Sequence, residues 1–100
     1  MAHQRNIIIY GGTIIPCTQF KIRNYLDKEK ERLKVNRWIR ETNPNNGGFD
    51  DFIDFDKAIK DPVDEIKIKD EYSFGDGIHL NFEGYRKMAE CINVKLFTKR

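Results

Sequence analysis

A carboxylate and an imidazole stand three positions apart near the end of this chain, at Asp76 and His79. Gly77 lies between them and an amphipathic stretch follows, so the pair is expected in a turn just ahead of a helix. In such a turn the carboxylate can bind one ring nitrogen and fix its tautomer, which leaves the other nitrogen free to accept a proton. The spacing therefore indicates the base half of a hydrolytic triad, with Asp76 orienting His79.

Other interpretations of these side chains stay open at the level of sequence. Asp76 could simply form a cap in a surface turn. Ser73 is the only serine, and its hydroxyl could reach across the turn to the histidine. Cys17 is intrinsically the stronger nucleophile, but a packed thiol is the favoured interpretation of this residue. A metal bound by His79, Asp76 and Asp56 is a further alternative, but ligands at these spacings are generic, and we predict no metal and no cofactor.

Composition limits the chain to one small globular domain or part of a larger one. It has 100 residues, of which 39% are hydrophobic and 34% charged, and a net charge of +2. A chain of this length buries only roughly 60–65% of the surface that its unfolded form exposes. The densest charge cluster, residues 28–37, alternates basic and acidic residues, so nucleic-acid binding is not expected. No apolar run is long enough for a signal peptide or a membrane span.

Two cysteines, Cys17 and Cys91, are too few for a disulfide framework. Both stand among apolar residues, which predicts buried free thiols. A reducing, cytoplasmic setting is the default expectation, although a longer parent protein could be secreted.

Two apolar runs are predicted to be strands. Residues 6–10 form a continuous run rich in β-branched residues, which Gly11 and Gly12 interrupt and residues 13–15 continue. Residues 49–55 form the second strand. Continuous rather than alternating hydrophobicity is typical of a strand that is covered on both faces, as in a parallel sheet.

The helix between the strands is predicted from the phase of its apolar residues. Residues 22, 25, 26 and 33 share one side of a helical wheel, whereas Val35, Trp38 and Ile39 point to the other. We therefore predict a loop over 18–26, Asp27 as N-cap, and a helix over 28–41 that packs Val35, Trp38 and Ile39 inward.

The final helix has the clearest pattern. Asn81 is a natural N-cap, Glu83 suits the first turn, and Gly84 allows close approach to the sheet. Its apolar residues fall within about 120° of one another; they are Phe82, Tyr85, Met88, Ala89, Ile92 and Leu96. The preceding residues 63–72 are polar and predict a surface loop that Ile66 and Ile68 anchor.

The order of elements is β–α–β–α, which implies parallel strands joined by a right-handed crossover. The predicted fold class is α/β: a partial flavodoxin-like three-layer fold in a single domain over 1–100, with a C-terminal helix covering the sheet.

Three segments together resemble the C-terminal part of the SGNH (GDSL-type) hydrolases. The first is GTIIP at 12–16, similar to the family's strand and loop of the GATLTP kind. The second is RLKVNRWIR at 32–40, followed by FDDFIDFD at 49–56 and by Asp61-Pro62. The third is DGIHLNFEGY at 76–85 with Met88-Ala89, similar to the block that carries the family's catalytic Asp and His. Leu80 stands where many members have proline.

The resemblance implies the C-terminal half of such a domain, a lipase, esterase or carbohydrate acetylesterase in class. Its substrates would be esters or acetylated sugars. Only Asp76 and His79 transfer, because the family's Gly-Asp-Ser block and its Gly-x-Asn-Asp oxyanion block do not occur here. We therefore expect this polypeptide alone to be inactive. The alternative is a stand-alone, non-catalytic binding or assembly module. In either case a sheet without its neighbouring strands is expected to self-associate through its edge.

Overall fold

The structure, a computed structural model, describes residues 7–17 and 25–92. Predictions that concern Asn6, residues 18–24 and Leu96 fall outside those ranges. The described elements are two strands, three helices and two 3-10 turns. In chain order they are β1 (Tyr10–Gly12), α1 (Tyr25–Glu41), a turn at Pro44–Asn46, β2 (Asp51–Ile53), α2 (Phe55–Ile59), a turn at Asp70–Tyr72, and α3 (Phe82–Glu90). None of these helices has the length and apolarity needed to cross a bilayer.

The two strands pair in parallel, with Tyr10 beside Asp51 and Gly12 beside Ile53. The backbone N–H of Thr13 extends the ladder by donating to the carbonyl of Ile53 at 3.0 Å. Parallel neighbours need a long crossover connection, and α1 lies within it. The predicted α/β class and the parallel β–α–β–α order are confirmed.

The second strand is shorter than predicted because an N-cap interrupts it. Asp54 accepts a hydrogen bond from the backbone N–H of Lys57 at 3.2 Å, so a helix begins at Phe55 instead of the strand continuing through it. Aspartate is a preferred N-cap. Here that local signal prevails over the apolar run of residues 49–55.

The buried face of α1 is mostly polar, and the predicted inward face is wrong in two of its three residues. Ile39 is buried, but Val35 and Trp38 are 40% and 52% exposed. The buried residues recur at helical spacing; they are Glu29, Arg32, Asn36 and Ile39. The helix also begins at Tyr25 rather than at residue 28. The positions of apolar residues on a helical wheel cannot predict a buried face that is held by ion pairs and hydrogen bonds.

Arg32 is almost completely buried, with 4% of its side chain exposed, and yet it is fully hydrogen bonded. Its guanidinium forms a bidentate pair with Glu29 and an ion pair with Asp56. It also donates to the carbonyls of Ile14 at 2.9 Å and Glu65 at 3.1 Å. These contacts use all five guanidinium donors. Burial lowers the pKa of Arg32, but the two carboxylates outweigh it and raise the pKa overall.

Asn36 and Arg40 attach the same helix to the ends of both strands. Asn36 accepts from the N–H of Ile14 at 2.7 Å and donates to its carbonyl at 2.8 Å. Arg40 binds Asp54 through Nε at 2.9 Å and Nη2 at 2.8 Å, and Nη2 also donates to Asp56 at 3.0 Å. The crossover helix is thus held to the sheet by directional polar contacts.

The Thr13 hydroxyl connects the ends of the two strands directly. It donates to Asp54 at 2.9 Å and accepts from the backbone N–H of Asp56 at 2.9 Å. We call the residues joined by these contacts the polar network. They are Thr13, Glu29, Arg32, Asn36, Arg40, Asp54 and Asp56.

The apolar core is small and lies under α2 and α3. It consists of Ile59, Ile68 and Leu80, against which Met88 and Tyr72 pack. Ile68 is thus an anchor, as predicted for the loop over 63–72. That loop is more ordered than expected, because residue 60 pairs with residue 68 in an antiparallel bridge and residues 70–72 form a 3-10 turn.

The predicted apolar stripe of α3 is present but largely uncovered. Phe82, Tyr85 and Ile92 are 78%, 58% and 45% exposed, so these three residues of the stripe do not lie in the core. Gly84 does allow a close approach, but to the Tyr72 carbonyl and Leu80 rather than to the sheet. The cysteine prediction is wrong for Cys17, which is exposed, whereas Cys91 is half-buried and both thiols are free.

We predict that Arg32→Met strongly destabilises the fold, because it leaves Glu29 buried without its counter-ion and removes one of the two arginines that pair with the buried Asp56. The expected loss of unfolding free energy is about 3–5 kcal/mol, measured by urea denaturation followed by circular dichroism. Arg37→Met is the matched control, since Arg37 is exposed on the same helix. Equal effects of the two substitutions would contradict the assigned role of the polar network.

The stability of the fold should also depend on pH through Asp54. Burial raises the pKa of this carboxyl, but hydrogen bonds from Arg40, the Lys57 backbone and Thr13 outweigh it and lower the pKa below its ordinary value. A lowered folded-state pKa stabilises the fold fully above the unfolded value of about 4. That stabilisation is lost as pH falls through the folded value.

The measurement is the unfolding free energy at pH 6 and pH 3 for the wild type and for Asp54→Asn. The wild type should lose more stability on acidification than the variant, which lacks this titration. Identical acid sensitivity of the two proteins would exclude Asp54 as a contributor.

Candidate functional site

Asp76 and His79 lie in a loop that is closed at its base by strand-like contacts. Ser73 and Leu80 form an antiparallel bridge, and the N–H of Phe74 donates to the carbonyl of His79 at 3.0 Å. Gly75 and Gly77 have φ of +113° and +82°. Only glycine adopts this left-handed region at no steric cost, so these two residues let the loop reverse within a few positions.

The Asp76 carboxylate organises the loop with both of its oxygens. Oδ1 accepts the backbone N–H groups of Ile78 at 2.9 Å and His79 at 2.7 Å. Oδ2 contacts Nδ1 of His79. These contacts hold the pKa of Asp76 well below its usual range, through the His79 backbone first, then the His79 ring, then the Ile78 backbone.

This geometry assigns the tautomer of the histidine. An ionised carboxylate only accepts hydrogen bonds, so Nδ1 of His79 carries the proton that faces Asp76. Within residues 7–17 and 25–92, no group hydrogen bonds to Nε2, and 65% of the His79 side chain is exposed. Nε2 is therefore an accessible base.

Asn81 fastens the loop to α3. Its side-chain oxygen caps the helix by accepting the N–H of Gly84 at 2.9 Å. Its amide nitrogen donates to the carbonyls of Glu71 at 3.0 Å and Ser73 at 3.2 Å. Asn81 was predicted as an N-cap, and the cap is confirmed. Its second role, which ties both ends of the dyad loop together, was missed because those carbonyls lie eight and ten residues away.

Other candidate residues do not join the dyad. The Ser73 oxygen accepts from the N–H of Gly75 at 3.0 Å, and no hydrogen bond links it to His79. Asp56 is engaged by Arg32 and Arg40 in the polar network. No group of three His, Cys, Asp or Glu side chains converges as a metal site among the residues that are placed.

A groove of about 420 Å³ opens beside α2 and α3, away from the dyad. It is lined by Asp54, Lys57, Ala58, Lys87, Glu90 and Cys91. Burial raises the pKa of the Cys91 thiol there. The dyad is thus an exposed base at the surface of the chain rather than part of this groove.

Comparison with known proteins identifies the fold. No family model and no curated protein matches the sequence. The crystal structure of a GDSL-like lipase from Bacteroides thetaiotaomicron VPI-5482 superimposes with a TM-score of 0.73 at 19% sequence identity. The match covers 99% of this chain and 47% of the lipase, so the chain spans about half the length of that protein. The chain therefore has part of a GDSL-like α/β fold.

We predict that Asp76→Asn changes the tautomer of His79, because the new amide can donate a hydrogen bond to Nδ1 where the carboxylate only accepted one. The wild type should carry its proton on Nδ1 at neutral pH, and the variant on Nε2. Two-dimensional NMR of the 15N-labelled imidazole distinguishes the two forms.

Ser73→Ala is the control for this experiment, since it alters the same loop without touching the carboxylate. It should leave the Nδ1–H form in place. A wild-type ring protonated on Nε2 would contradict the assignment.

Proposed function

We propose that this chain is the C-terminal part of a GDSL/SGNH-type serine hydrolase domain and provides its Asp–His dyad. The observation that carries the proposal is the contact between Asp76 and Nδ1 of His79, with Nε2 exposed. The GDSL-like fold supports it, as do the three sequence segments that resemble this family. All 100 residues would belong to one unit of that domain.

The reaction would be acyl transfer to water from an ester or an acetylated sugar. His79 Nε2 would take the proton of a serine hydroxyl as that oxygen attacks the ester carbonyl, and would then return it to the leaving alcohol. Water would cleave the acyl-enzyme with the same base. Asp76 would hold the ring and stabilise its protonated form.

The nucleophile is proposed to come from outside residues 1–100. The Ser73 oxygen accepts a hydrogen bond from the Gly75 N–H. Cys17 is exposed, and within the described ranges no hydrogen bond joins it to His79. The family's serine and oxyanion blocks have no counterpart in the sequence. This chain would therefore contribute the base and its orienting group, and another segment would contribute the hydroxyl and the oxyanion donors.

A non-catalytic binding or assembly module is the second candidate, and the exposed apolar surface favours it. Among the residues that the structure describes, twelve large hydrophobic side chains are exposed, whereas four hydrophobic side chains are buried. Exposed apolar side chains that form a contiguous patch are typical of an interaction surface. Under this proposal copies of the chain would associate through β1 or β2, the edges of the short sheet.

We predict negligible esterase activity for this polypeptide alone. Loss of the nucleophile removes on the order of 10⁶ in kcat in a well-studied serine hydrolase, and here the oxyanion donors are missing too. Turnover of p-nitrophenyl acetate should equal the buffer rate for the wild type and for His79→Ala. A robust rate that His79→Ala abolishes would overturn the proposal, and Ser73→Ala and Cys17→Ala would then identify the nucleophile.

A further inference from the structure

We infer that the apolar stripe of α3 is the docking surface for the polypeptide segment that carries the nucleophilic serine. The stripe consists of Phe82, Tyr85, Ala89 and Ile92, which lie on one side of the helix and of the turn that follows it. This inference rests on the proposed function and specifies where its second half binds.

The stripe has a helical pattern that normally indicates burial, yet it faces solvent. Phe82 and Tyr85 are 78% and 58% exposed, and they stand one helical turn apart. Ile92 is 45% exposed and continues the turn through a bond from its N–H to the Ala89 carbonyl at 3.1 Å. Only Met88, at the margin of the stripe, reaches the core.

The position of the stripe suits a partner that must meet His79. Phe82 follows the histidine by three residues, and Asn81 between them ties the first turn of α3 to the carbonyls of Glu71 and Ser73. The loop that carries His79 and the first turn of α3 are thus held together by the hydrogen bonds of Asn81. A segment that covers the stripe is held at a fixed distance from Nε2, which is the condition that proton transfer requires.

The area of the stripe argues against a second copy of this chain as its occupant. A buried aromatic side chain contributes roughly 150–250 Å². With the exposures above, two stripes face to face would bury roughly 700 Å² in total, whereas a stable interface buries about 1,200–2,000 Å². A larger partner is needed.

The matched lipase indicates the size of such a partner. Less than half of its chain, 47%, corresponds to these residues, so more than half lies outside the match. A segment of that length can cover the stripe and also add a strand to the sheet. It can thereby bury the area that the stripe alone does not provide.

The test uses the polypeptide encoded directly ahead of residue 1 in the same genome, expressed separately and mixed with this chain. Light scattering after size exclusion should give a 1:1 complex, and amide hydrogen exchange should show new protection in α3. The variant with Phe82→Ser, Tyr85→Ser and Ile92→Ser should bind at least about tenfold more weakly. The control is Leu26→Ser with Val63→Ser, which removes exposed apolar side chains outside α3 and should bind as the wild type does.

Three results would overturn the inference: no complex, a complex that the triple variant forms equally well, or a dimer of this chain alone that the triple variant abolishes. A fluorophosphonate probe separates this inference from the proposed function. If the triple variant in α3 weakens the complex but no serine is labelled in a His79-dependent way, the docking surface stands and the hydrolase proposal is rejected. If serine labelling depends on His79 but the triple variant in α3 binds as the wild type does, the hydrolase proposal stands and the docking surface is rejected.

Discussion

The buried pair of Arg32 and Asp56 is the interaction on which the rest of this structure depends. Arg32 lies on the crossover helix, Asp56 follows the second strand, and the same guanidinium reaches the carbonyls of Ile14 and Glu65. Four distant parts of the chain thus meet at one side chain. Since buried charges are costly unless they are paired and hydrogen bonded, this geometry tolerates little rearrangement. It fixes how α1 sits on the parallel strands, although Ile39 is the one apolar residue among the four buried residues of this helix.

A polar connection of this kind suits a domain whose apolar surface is mostly uncovered. Three side chains, Ile59, Ile68 and Leu80, form the core cluster, and they lie under α2 and α3 rather than between α1 and the sheet. The polar network holds the first half of the described fold together, and the small apolar core holds the second half. Asp54 and Asp56 belong to both halves, because Asp54 caps α2 and Asp56 lies in its first turn, while both pair with residues of α1.

The dyad loop depends on this second half. Leu80, which follows His79 in the sequence, is buried in the core. The backbone of the histidine is therefore anchored through its neighbour, while its own ring stays exposed. Asp76 is held by backbone and ring contacts within the loop, and Asn81 joins that loop to α3. The histidine is thus oriented by Asp76 but is not covered by other residues of the described chain. One half of a two-part active site would have this arrangement. The same arrangement explains why α3, rather than a loop, provides the proposed docking surface.

The sequence by itself determined the parallel α/β order, the cap at Asn81 and the proximity of Asp76 to His79, because each follows from local spacing or from the period of apolar residues. It also indicated a fold that the comparison with the lipase supports. Tertiary structure alone decided which face of α1 is buried, where β2 ends and why α3 remains exposed. Those outcomes depend on partners far along the chain. Arg32 is buried because Asp56 and Glu65 bind its guanidinium, whereas Trp38 stays 52% exposed with the ring of Phe49 packed edge-on against it at 5.6 Å. Hydrophobic periodicity indicates which face of a helix tends to avoid water. Only the tertiary structure shows whether a polar face is buried against groups of opposite charge, and whether an apolar face is packed against another element.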